Sequence, residues 1–399
     1  MMASRTFRLA FALIAAALIL GRAAPVFAAD KKDGPNINAP HAILIEAQQG
    51  SVLYEHNSDQ LIYPASLAKL MTAEYVFHLL RAGKIKLTDE YTVSENAWRK
   101  GGAPSRSSTM FAKLNSQVSV DDLLHGMIIQ SANDACIVLA EAIAGNELEF
   151  GARLTKRARE IGLAKSTFTN SNGLPDPGEQ VTTRELALLS RHIILNYPKF
   201  YPLFGQRDFT WNKINQHNRN PLLGMGIGAD GLKTGFTKEA GYGLVGSAVV
   251  NGMRLIVVVN GEKTAKERAD DAKKLLEWGF RTFEPRILFA EGQPLGRAKI
   301  FGGAEGHVPL VASAPVRVMV PKNGSDRLIA RIVYTGPVPA PVVKGQPIGK
   351  VKVWRNDNVV LELPLQAAAP VAKGNLSQRA FDAVTELVIA LFRAGAQRL

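Results

Sequence analysis

The spacing of apolar side chains divides the chain into a mixed α/β part, a β-rich part and a final helix. Near the start, alternating apolar runs over His41 to Glu46 and Val52 to Tyr54 flank Gln48-Gln49-Gly50 and predict a β-hairpin. A long, mostly apolar run from Leu67 to Leu80 follows, with a proline before it and a glycine after it, and predicts a buried helix. The folded part of the chain is therefore expected to begin with two strands and a helix.

Helical periodicity dominates the region from about residue 85 to 225. The best predicted helices there are Val120–Ile129, Ala135–Ile143, Leu148–Ile161 and Thr183–Asn196. Strand character returns at Gly231 to Phe236, and an amphipathic helix is predicted over Lys263 to Phe280. Between them, Asn251-Gly252 joins two β-rich runs, Tyr242–Val250 and Met253–Val259, in a second hairpin. The pattern predicts a sheet with a helical segment inserted between its first helix and its later strands.

Beyond Pro285 the sequence is rich in glycine, proline and valine, with short alternating runs. These runs are Val316–Val320, Leu328–Tyr334, Ile348–Trp354 and Val359–Leu363. They predict a small all-β domain, a sandwich or a barrel. We therefore predict a first domain over 38–284, a β-rich domain over 287–366 and a last helix over 374–399.

The last helix has the pattern of an amphipathic membrane anchor. Its apolar face is formed by Phe381, Val384, Leu387, Val388, Leu391 and Phe392. The segment is too short and too polar to span a bilayer, so we expect it to lie in the interface of a phospholipid membrane. A helix packed against its own domain or against a partner is the alternative.

The first 28 residues have the pattern of a signal peptide. Arg5 and Arg8 precede an apolar stretch from Leu9 to Leu20, and Val26-Phe27-Ala28 offers small residues for cleavage after Ala28. A retained membrane anchor is the alternative. We expect an exported protein that works in the periplasm or another extracytoplasmic space, peripherally attached to the cytoplasmic membrane.

Charge narrows the class of partner. The chain of 399 residues has a formal net charge of +13, and removing the three arginines of the first 28 residues leaves +10. A basic exported protein suits an anionic surface such as cell wall or phospholipid headgroups. Nucleic acid is a poor candidate, because the basic residues are dispersed and not gathered with aromatic ones.

Three short motifs supply the candidate chemistry. They are Ser66-Leu-Ala-Lys69, Ser131-Ala-Asn133 and Lys233-Thr234-Gly235. Each alone is a weak signal, since an SxxK pattern is expected about once by chance in a chain of this length. In this order they match the SxxK, SDN-type and KTG set of serine acyl-transfer enzymes, with alanine in the middle of the second motif. Such a set needs no histidine, metal ion or cofactor.

The first motif places a nucleophile beside a base. If Ser66 opens the predicted helix, Lys69 lies one turn along on the same face, and the positive helix end faces a developing oxyanion. The ordinary alternative is that the serine only caps the helix and that the lysine side chain is solvated. The apolar surroundings predict a buried Lys69, whose lowered pKa would suit it as a base.

With these motifs, the chain resembles the D-alanyl-D-alanine carboxypeptidases, low-molecular-mass penicillin-binding proteins of the penicillin-binding protein 5 type. The matching segments are Tyr63–Lys69, Gln130–Cys136, Asp230–Thr237, Gly252–Leu255 and Lys273–Phe280. The resemblance implies a penicillin-binding/β-lactamase-like transpeptidase fold, an α/β (α+β) fold with an inserted helical subdomain. It also implies a small all-β domain and a C-terminal amphipathic helix behind that fold.

The resemblance implies a role for each motif residue. Ser66 would attack the carbonyl between the two terminal D-alanines of a peptidoglycan stem peptide, and Lys69 would take its proton. Lys69 would be kept neutral by burial and by the Lys233 ammonium. Ser131 would relay a proton to the leaving amine, while Asn133 would hold the acyl side chain and orient Lys69. A β-lactam antibiotic would be attacked in the same way and would trap the serine as an ester.

The third motif is expected to bind substrate. Lys233, Thr234 and Gly235 would surround the terminal carboxylate, and the resemblance adds Arg219 and Arg268 as guanidinium partners for it. Either arginine could instead form a surface ion pair. Phe236 would complete the site, because its backbone N–H and that of Ser66 would form the oxyanion hole. Well-known relatives carry histidine at this position, so the phenylalanine leaves the deacylation rate open.

Other activities are compatible with parts of this pattern. A class A β-lactamase needs a deacylating glutamate with an asparagine four residues later, and neither Glu179 nor Glu185 has one. A D,D-endopeptidase acting on cross-linked peptidoglycan would use the same residues. A non-catalytic wall-binding scaffold is disfavoured by the intact motifs. The missing glutamate pattern predicts that Ser66 forms an acyl-enzyme readily and releases penicillin slowly.

Overall fold

The computed structural model describes residues 34–324, 327–355 and 358–385. The predicted signal peptide and the end of the predicted anchor helix lie outside the described residues. The strands are β1 (His41–Glu46), β2 (Val52–His56), β3 (Glu90–Thr92), β4 (Gln117–Ser119), β5 (Asp208–Trp211), β6 (Ile214–His217), β7 (Ala229–Thr237), β8 (Gly241–Val250), β9 (Met253–Glu262), β10 (Phe283–Phe289), β11 (Gly296–Phe301), β12 (His307–Ala312), β13 (Val316–Pro321), β14 (Leu328–Tyr334), β15 (Val338–Pro339), β16 (Pro347–Arg355) and β17 (Asn358–Ala367). The longer helices are α1 (Lys69–Arg81), α2 (Glu95–Lys100), α3 (Val120–His125), α4 (Asn133–Ala144), α5 (Glu147–Glu160), α6 (Thr183–Asn196) and α7 (Ala265–Thr282).

An antiparallel sheet in the order β2-β1-β9-β8-β7 organises the first part of the chain. Alternate residues of β1 enter two different cores, which explains its nearly continuous apolar sequence. Ile43 and Ile45 pack with Phe77 of α1 in the core on the side of the inserted helices. Leu44 packs with Leu275 of α7 in the core on the other side. Strand β7, which carries the Lys-Thr-Gly motif, lies at one edge of this sheet.

Most predicted elements occur at or near their predicted positions. The Asn251-Gly252 turn joins β8 to β9, and α6 has the predicted bounds. The predicted Val120–Ile129 helix divides into α3 and a wider π-helical turn, Gly126–Gln130. That turn ends at Ser131, whose backbone takes the left-handed conformation at φ 64°. A strained backbone at a non-glycine residue is typical of functional sites.

The β-rich part forms a six-stranded sheet in the order β14-β16-β17-β12-β11-β15 and a separate β10–β13 pair. Both contribute to one apolar core, which includes Leu310 of β12, Val318 of β13 and Val353 of β16. This arrangement agrees with the predicted all-β domain.

Residues 376–385 are helical and present apolar side chains to solvent. Leu376 is 81% exposed, Phe381 is 73% exposed and Val384 is 61% exposed. On another side of the helix, Asp382 accepts a 2.8 Å hydrogen bond from the backbone N–H of Gly302. Among the described residues, no helix combines the length and apolar character needed to cross a bilayer.

Candidate active site

Ser66 lies in a tight turn that leads into the buried helix α1. The turn, Ala65–Ala68, is a 3-10 helix, so the α-helix itself begins only at Lys69 and not at the serine as predicted. The Nζ of Lys69 is 2.8 Å from the Oγ of Ser66 and donates a 2.7 Å hydrogen bond to the carbonyl of Asn172. The predicted pairing of serine and lysine is therefore present, with a third group that fixes the amine.

Two buried lysines share this site. Lys69 and Lys233 are each 2% exposed, and the Nζ of Lys233 donates to the carbonyl of Thr234 at 3.0 Å. Burial lowers the pKa of Lys69 to about 8, and the Arg219 guanidinium acts in the same direction. Burial also lowers the pKa of Lys233, with the positive charges of Lys69 and Arg219 adding to the effect. These lysines therefore lose their proton at a lower pH than a solvated lysine does.

The second motif lies where α4 begins. Ser131 and Asn133 are buried, and the Nδ2 of Asn133 donates a 2.9 Å hydrogen bond to the Oγ of Ser107. The Oδ1 of Asn133 is buried and has no hydrogen-bond partner among the described residues. An acceptor held in this way can receive a hydrogen bond from a substrate amide.

Asp134, the residue after this motif, holds the neighbouring loop in place. Its carboxylate accepts hydrogen bonds from the Thr109 hydroxyl at 2.6 Å and from the backbone N–H groups of Met110 and Ala112 at 3.0 and 3.1 Å. The loop carries Ser107 and Ser108, so this clamp fixes one wall of the site. The Ser-x-Asn motif gives no signal for this clamp, because the loop groups that donate to Asp134 lie more than twenty residues away along the chain.

The third motif packs directly on the turn that carries Ser66. A Cβ atom at Gly235 would lie 3.2 Å from the backbone nitrogen of Leu67 and from the carbonyl oxygen of Pro64. Glycine therefore lets β7 approach the nucleophile closely. The next residue, Phe236, is 50% exposed and stacks on Tyr242 at a centroid distance of 4.1 Å.

A cleft of about 390 Å³ opens above the serine. Its walls are formed by Ser66, Arg106, Ser107, Ser108, Asn133, Gly173, Leu174, Arg219, Phe236 and Thr237. Arg219 donates a 2.6 Å hydrogen bond to the Oγ of Ser108 and faces the cleft. Of the other predicted site residues, Lys69, Ser131, Lys233, Thr234 and Gly235 lie behind these walls. The same is true of Arg268. It is buried beneath Tyr242, with its guanidinium carbon 5.6 Å from that ring centre, and its positive charge helps to lower the pKa of Lys233.

The loop around residues 169–180 contributes Gly173 and Leu174 to the cleft and carries residues that the motifs did not predict. A buried carboxylate, Glu179, holds this loop by accepting hydrogen bonds from the backbone and hydroxyl of Thr169 at 2.6 and 2.8 Å and from the backbone of Asn170 at 3.2 Å. Burial raises the pKa of Glu179 to about 7. Glu179 is only 1% exposed and does not line the cleft, so it is poorly placed to activate a water molecule there.

Comparisons with known proteins agree with this geometry. A family model described as D-alanyl-D-alanine carboxypeptidase matches residues 28–264, and one described as penicillin-binding protein 5, C-terminal domain, matches residues 283–373. The D-alanyl-D-alanine carboxypeptidase DacC of Escherichia coli is 40% identical over 362 residues, covering 90% of each chain.

Solved structures show the same similarity. Penicillin-binding protein 5 from Haemophilus influenzae is 39% identical with a TM-score of 0.77, covering 85% of this chain and 99% of that one. Penicillin-binding protein D2 from Listeria monocytogenes in its ampicillin-bound form is 32% identical with a TM-score of 0.54, covering 62% of this chain and 99% of that one.

Proposed function

The chain belongs to the D-alanyl-D-alanine carboxypeptidase family, and from this premise we propose how its residues carry out the reaction. It is a serine-type D-Ala-D-Ala carboxypeptidase with a penicillin-binding/β-lactamase-like fold and a C-terminal all-β domain. The observation that carries the mechanism is the 2.8 Å contact between Ser66 and Lys69 at a cleft that is bordered by Asn133 of the second motif and by Phe236, the residue after the third motif.

Acylation begins when Lys69 is neutral. Its amine accepts the hydroxyl proton of Ser66, and the Oγ attacks the carbonyl carbon between the two terminal D-alanines. The backbone N–H groups of Ser66 and Phe236 stabilise the oxyanion of the tetrahedral intermediate. The C–N bond then breaks, Ser131 relays a proton to the leaving amine, and free D-alanine departs. Water hydrolyses the resulting ester and regenerates the serine.

Polar groups around the cleft orient the substrate. Lys233, Thr234 and Arg219 surround the terminal carboxylate, and the amide of Asn133 binds the acyl side of the peptide. Arg268 acts from behind Tyr242 through its positive charge, which helps to lower the pKa of Lys233. A β-lactam enters by the same route and acylates Ser66. We expect this ester to be long-lived, because the oxygens of Glu179 do not face the cleft.

Release of D-alanine separates carboxypeptidase from endopeptidase activity. We expect kcat/KM for a stem pentapeptide to exceed that for a cross-linked dimer by at least about tenfold, because the small cleft suits a single D-alanine better than a branched leaving group. The measurement is D-alanine release from the pentapeptide beside chromatography of the dimer digest. Faster cleavage of the dimer would identify an endopeptidase.

We propose that the protein is exported and held at the membrane surface by its last helix. Domains over 38–284 and 287–366 would then lie outside the cytoplasmic membrane, with the signal peptide 1–28 removed and 374–399 acting as the anchor. The exposed apolar side chains of residues 376–385 support this proposal, since such a face binds the headgroup–acyl boundary.

Truncation tests the anchor. A protein ending at Gly374 should release D-alanine at the rate of the longer protein but lose at least about tenfold in binding to anionic phospholipid vesicles. Phe381→Glu in the full chain should weaken vesicle binding in the same direction. Sedimentation with vesicles measures both. If the truncated protein still sedimented with vesicles, the membrane would be bound by a different surface of the protein.

A further inference from the structure

Lys69 is fixed by a short segment, Ser171-Asn172, that binds helices α1 and α5 at the same time. The carbonyl of Asn172 accepts the 2.7 Å hydrogen bond from the Nζ of Lys69, and the carbonyl of Ser171 accepts one of 2.7 Å from the Thr72 hydroxyl. Both residues of this 171–172 segment are buried, Ser171 completely and Asn172 at 3% exposure. A shift of the segment would therefore move the carbonyl that fixes the amine of Lys69.

The side chains of the same segment bind one carboxylate, that of Glu147 in the first turn of α5. Its Oε1 accepts a 2.7 Å hydrogen bond from the Oγ of Ser171 and a 3.3 Å hydrogen bond from the Nδ2 of Asn172. Glu147 is half-buried and does not line the cleft. It is therefore placed to act on Lys69 through the 171–172 segment and not to contact the substrate.

Positive groups near Lys69 favour its neutral form. Burial is the main cause of the low pKa of Lys69, and the Arg219 guanidinium acts in the same direction. Lys233 reaches the site from β7 with a charge of the same sign, so the two lysines repel each other. A nearby carboxylate opposes these effects, because it stabilises the ammonium form.

Among the described residues, three acidic groups raise the pKa of Lys69: the Cys136 thiol of α4, Glu147 of α5 and Glu179. Burial raises the pKa of the thiol to about 12, so the thiol is neutral while Lys69 titrates. Burial also raises the pKa of Glu179 to about 7, so part of its charge is lost below neutral pH. Glu147 is the remaining one of the three, and its hydrogen bonds hold it against the segment that binds the amine.

We infer that Glu147 is a positioning residue for the base. It holds the 171–172 segment that fixes Lys69, and its negative charge stabilises the ammonium that forms when Lys69 takes the proton of Ser66. The same charge keeps a larger fraction of Lys69 protonated, and therefore unable to accept that proton, at neutral pH. This inference rests on the proposed function, because it takes Lys69 to be the base that activates Ser66.

Glu147→Gln separates the charge from the hydrogen bonds, because the amide oxygen can still accept from the 171–172 segment but carries no charge. The measured quantity is the second-order rate of acylation by benzylpenicillin as a function of pH. We expect the midpoint of the profile to fall by about half a unit to one unit, so that acylation at about pH 6.5 becomes about threefold to tenfold faster. The rate above about pH 9 should fall by no more than about threefold, since a weaker base accepts the proton more slowly.

Three further variants serve as controls. Glu149→Gln removes the same charge from the same turn of α5, at an exposed residue that pairs with Arg153, and it should keep the wild-type profile. Lys156→Met changes an exposed lysine of the same helix outside the cleft and should also keep that profile. Glu147→Asp retains the charge and should keep the midpoint within about 0.3 of a unit of the wild-type value. Thermal unfolding should show that all the variants are folded.

The shape of the profile decides between a charge effect and a purely structural one. A Glu147→Gln rate lowered by the same factor at every pH, with the midpoint unchanged, would overturn the inference. An equal shift in Glu149→Gln would also overturn it, because the position of Glu147 would then not matter. A wild-type profile with no rise toward about pH 8 would instead show that Lys69 is not the base, and the proposed mechanism would fail together with the inference.

Discussion

Ser66→Ala should lower kcat for D-alanine release by at least about 10⁴-fold, because it removes the nucleophile on which both half-reactions depend. Substrate binding should change little, since the carboxylate contacts of Lys233 and Arg219 remain. Fluorescent penicillin should no longer label the protein. The Ser66 hydroxyl is hydrogen-bonded to the amine of Lys69. Because Ser66→Ala removes this single oxygen atom and leaves the apolar packing unchanged, we expect the variant to fold normally.

Ser116→Ala is the matched control for this experiment. Ser116 lies outside the cleft, and within the described part of the chain its hydroxyl donates only to the carbonyl of Lys113. The control should keep full activity and full labelling, and thermal unfolding should show that both variants are folded. Undiminished penicillin labelling of a folded Ser66→Ala protein would contradict the serine mechanism.

The second large effect is on the pH dependence of acylation. Burial lowers the pKa of Lys69 to about 8, and only the neutral amine can accept the serine proton. The neutral fraction grows tenfold per pH unit below the pKa and is nearly complete above it. The second-order rate of penicillin acylation should therefore rise about tenfold per unit up to about pH 8 and then level off.

Stopped-flow acylation between about pH 5.5 and 9.5 measures this profile. Lys69→Met should abolish the pH-dependent limb and lower the rate by at least about 10³-fold, while Lys156→Met should reproduce the wild-type curve. A profile that is flat through pH 8, or one whose midpoint lies near the value of a solvated lysine, would show that Lys69 is not the base.

Local sequence patterns predicted much of the fold because the deciding interactions are close along the chain. The Asn251-Gly252 turn sets the β8–β9 hairpin through its own backbone preference, and α6 follows the periodicity of its apolar residues. The order of the three motifs also led to the right family, since they supply a nucleophile, a base and a carboxylate site. Their joint occurrence carried that inference, and no single motif did.

The remaining features depend on contacts that no local pattern records. The 3-10 turn at Ser66 and the left-handed backbone of Ser131 are local departures from helical geometry that apolar spacing does not reveal. The hydrogen bonds of Glu179 to Thr169 and Asn170 lie within an irregular loop, where no helix or strand pattern indicates them. The position of Arg268, buried with its guanidinium carbon 5.6 Å from the ring centre of Tyr242, is likewise not visible in the sequence. Such positions are set by tertiary packing.

The most direct test of the central claim is to locate the penicillin adduct. The protein would be incubated with benzylpenicillin, digested with a protease and analysed by peptide mass spectrometry. The mechanism predicts one added penicilloyl group, on the peptide that contains Ser66, with fragment ions that assign it to the Oγ of that serine. An adduct on Ser131 or on another residue, or no adduct at all, would contradict it.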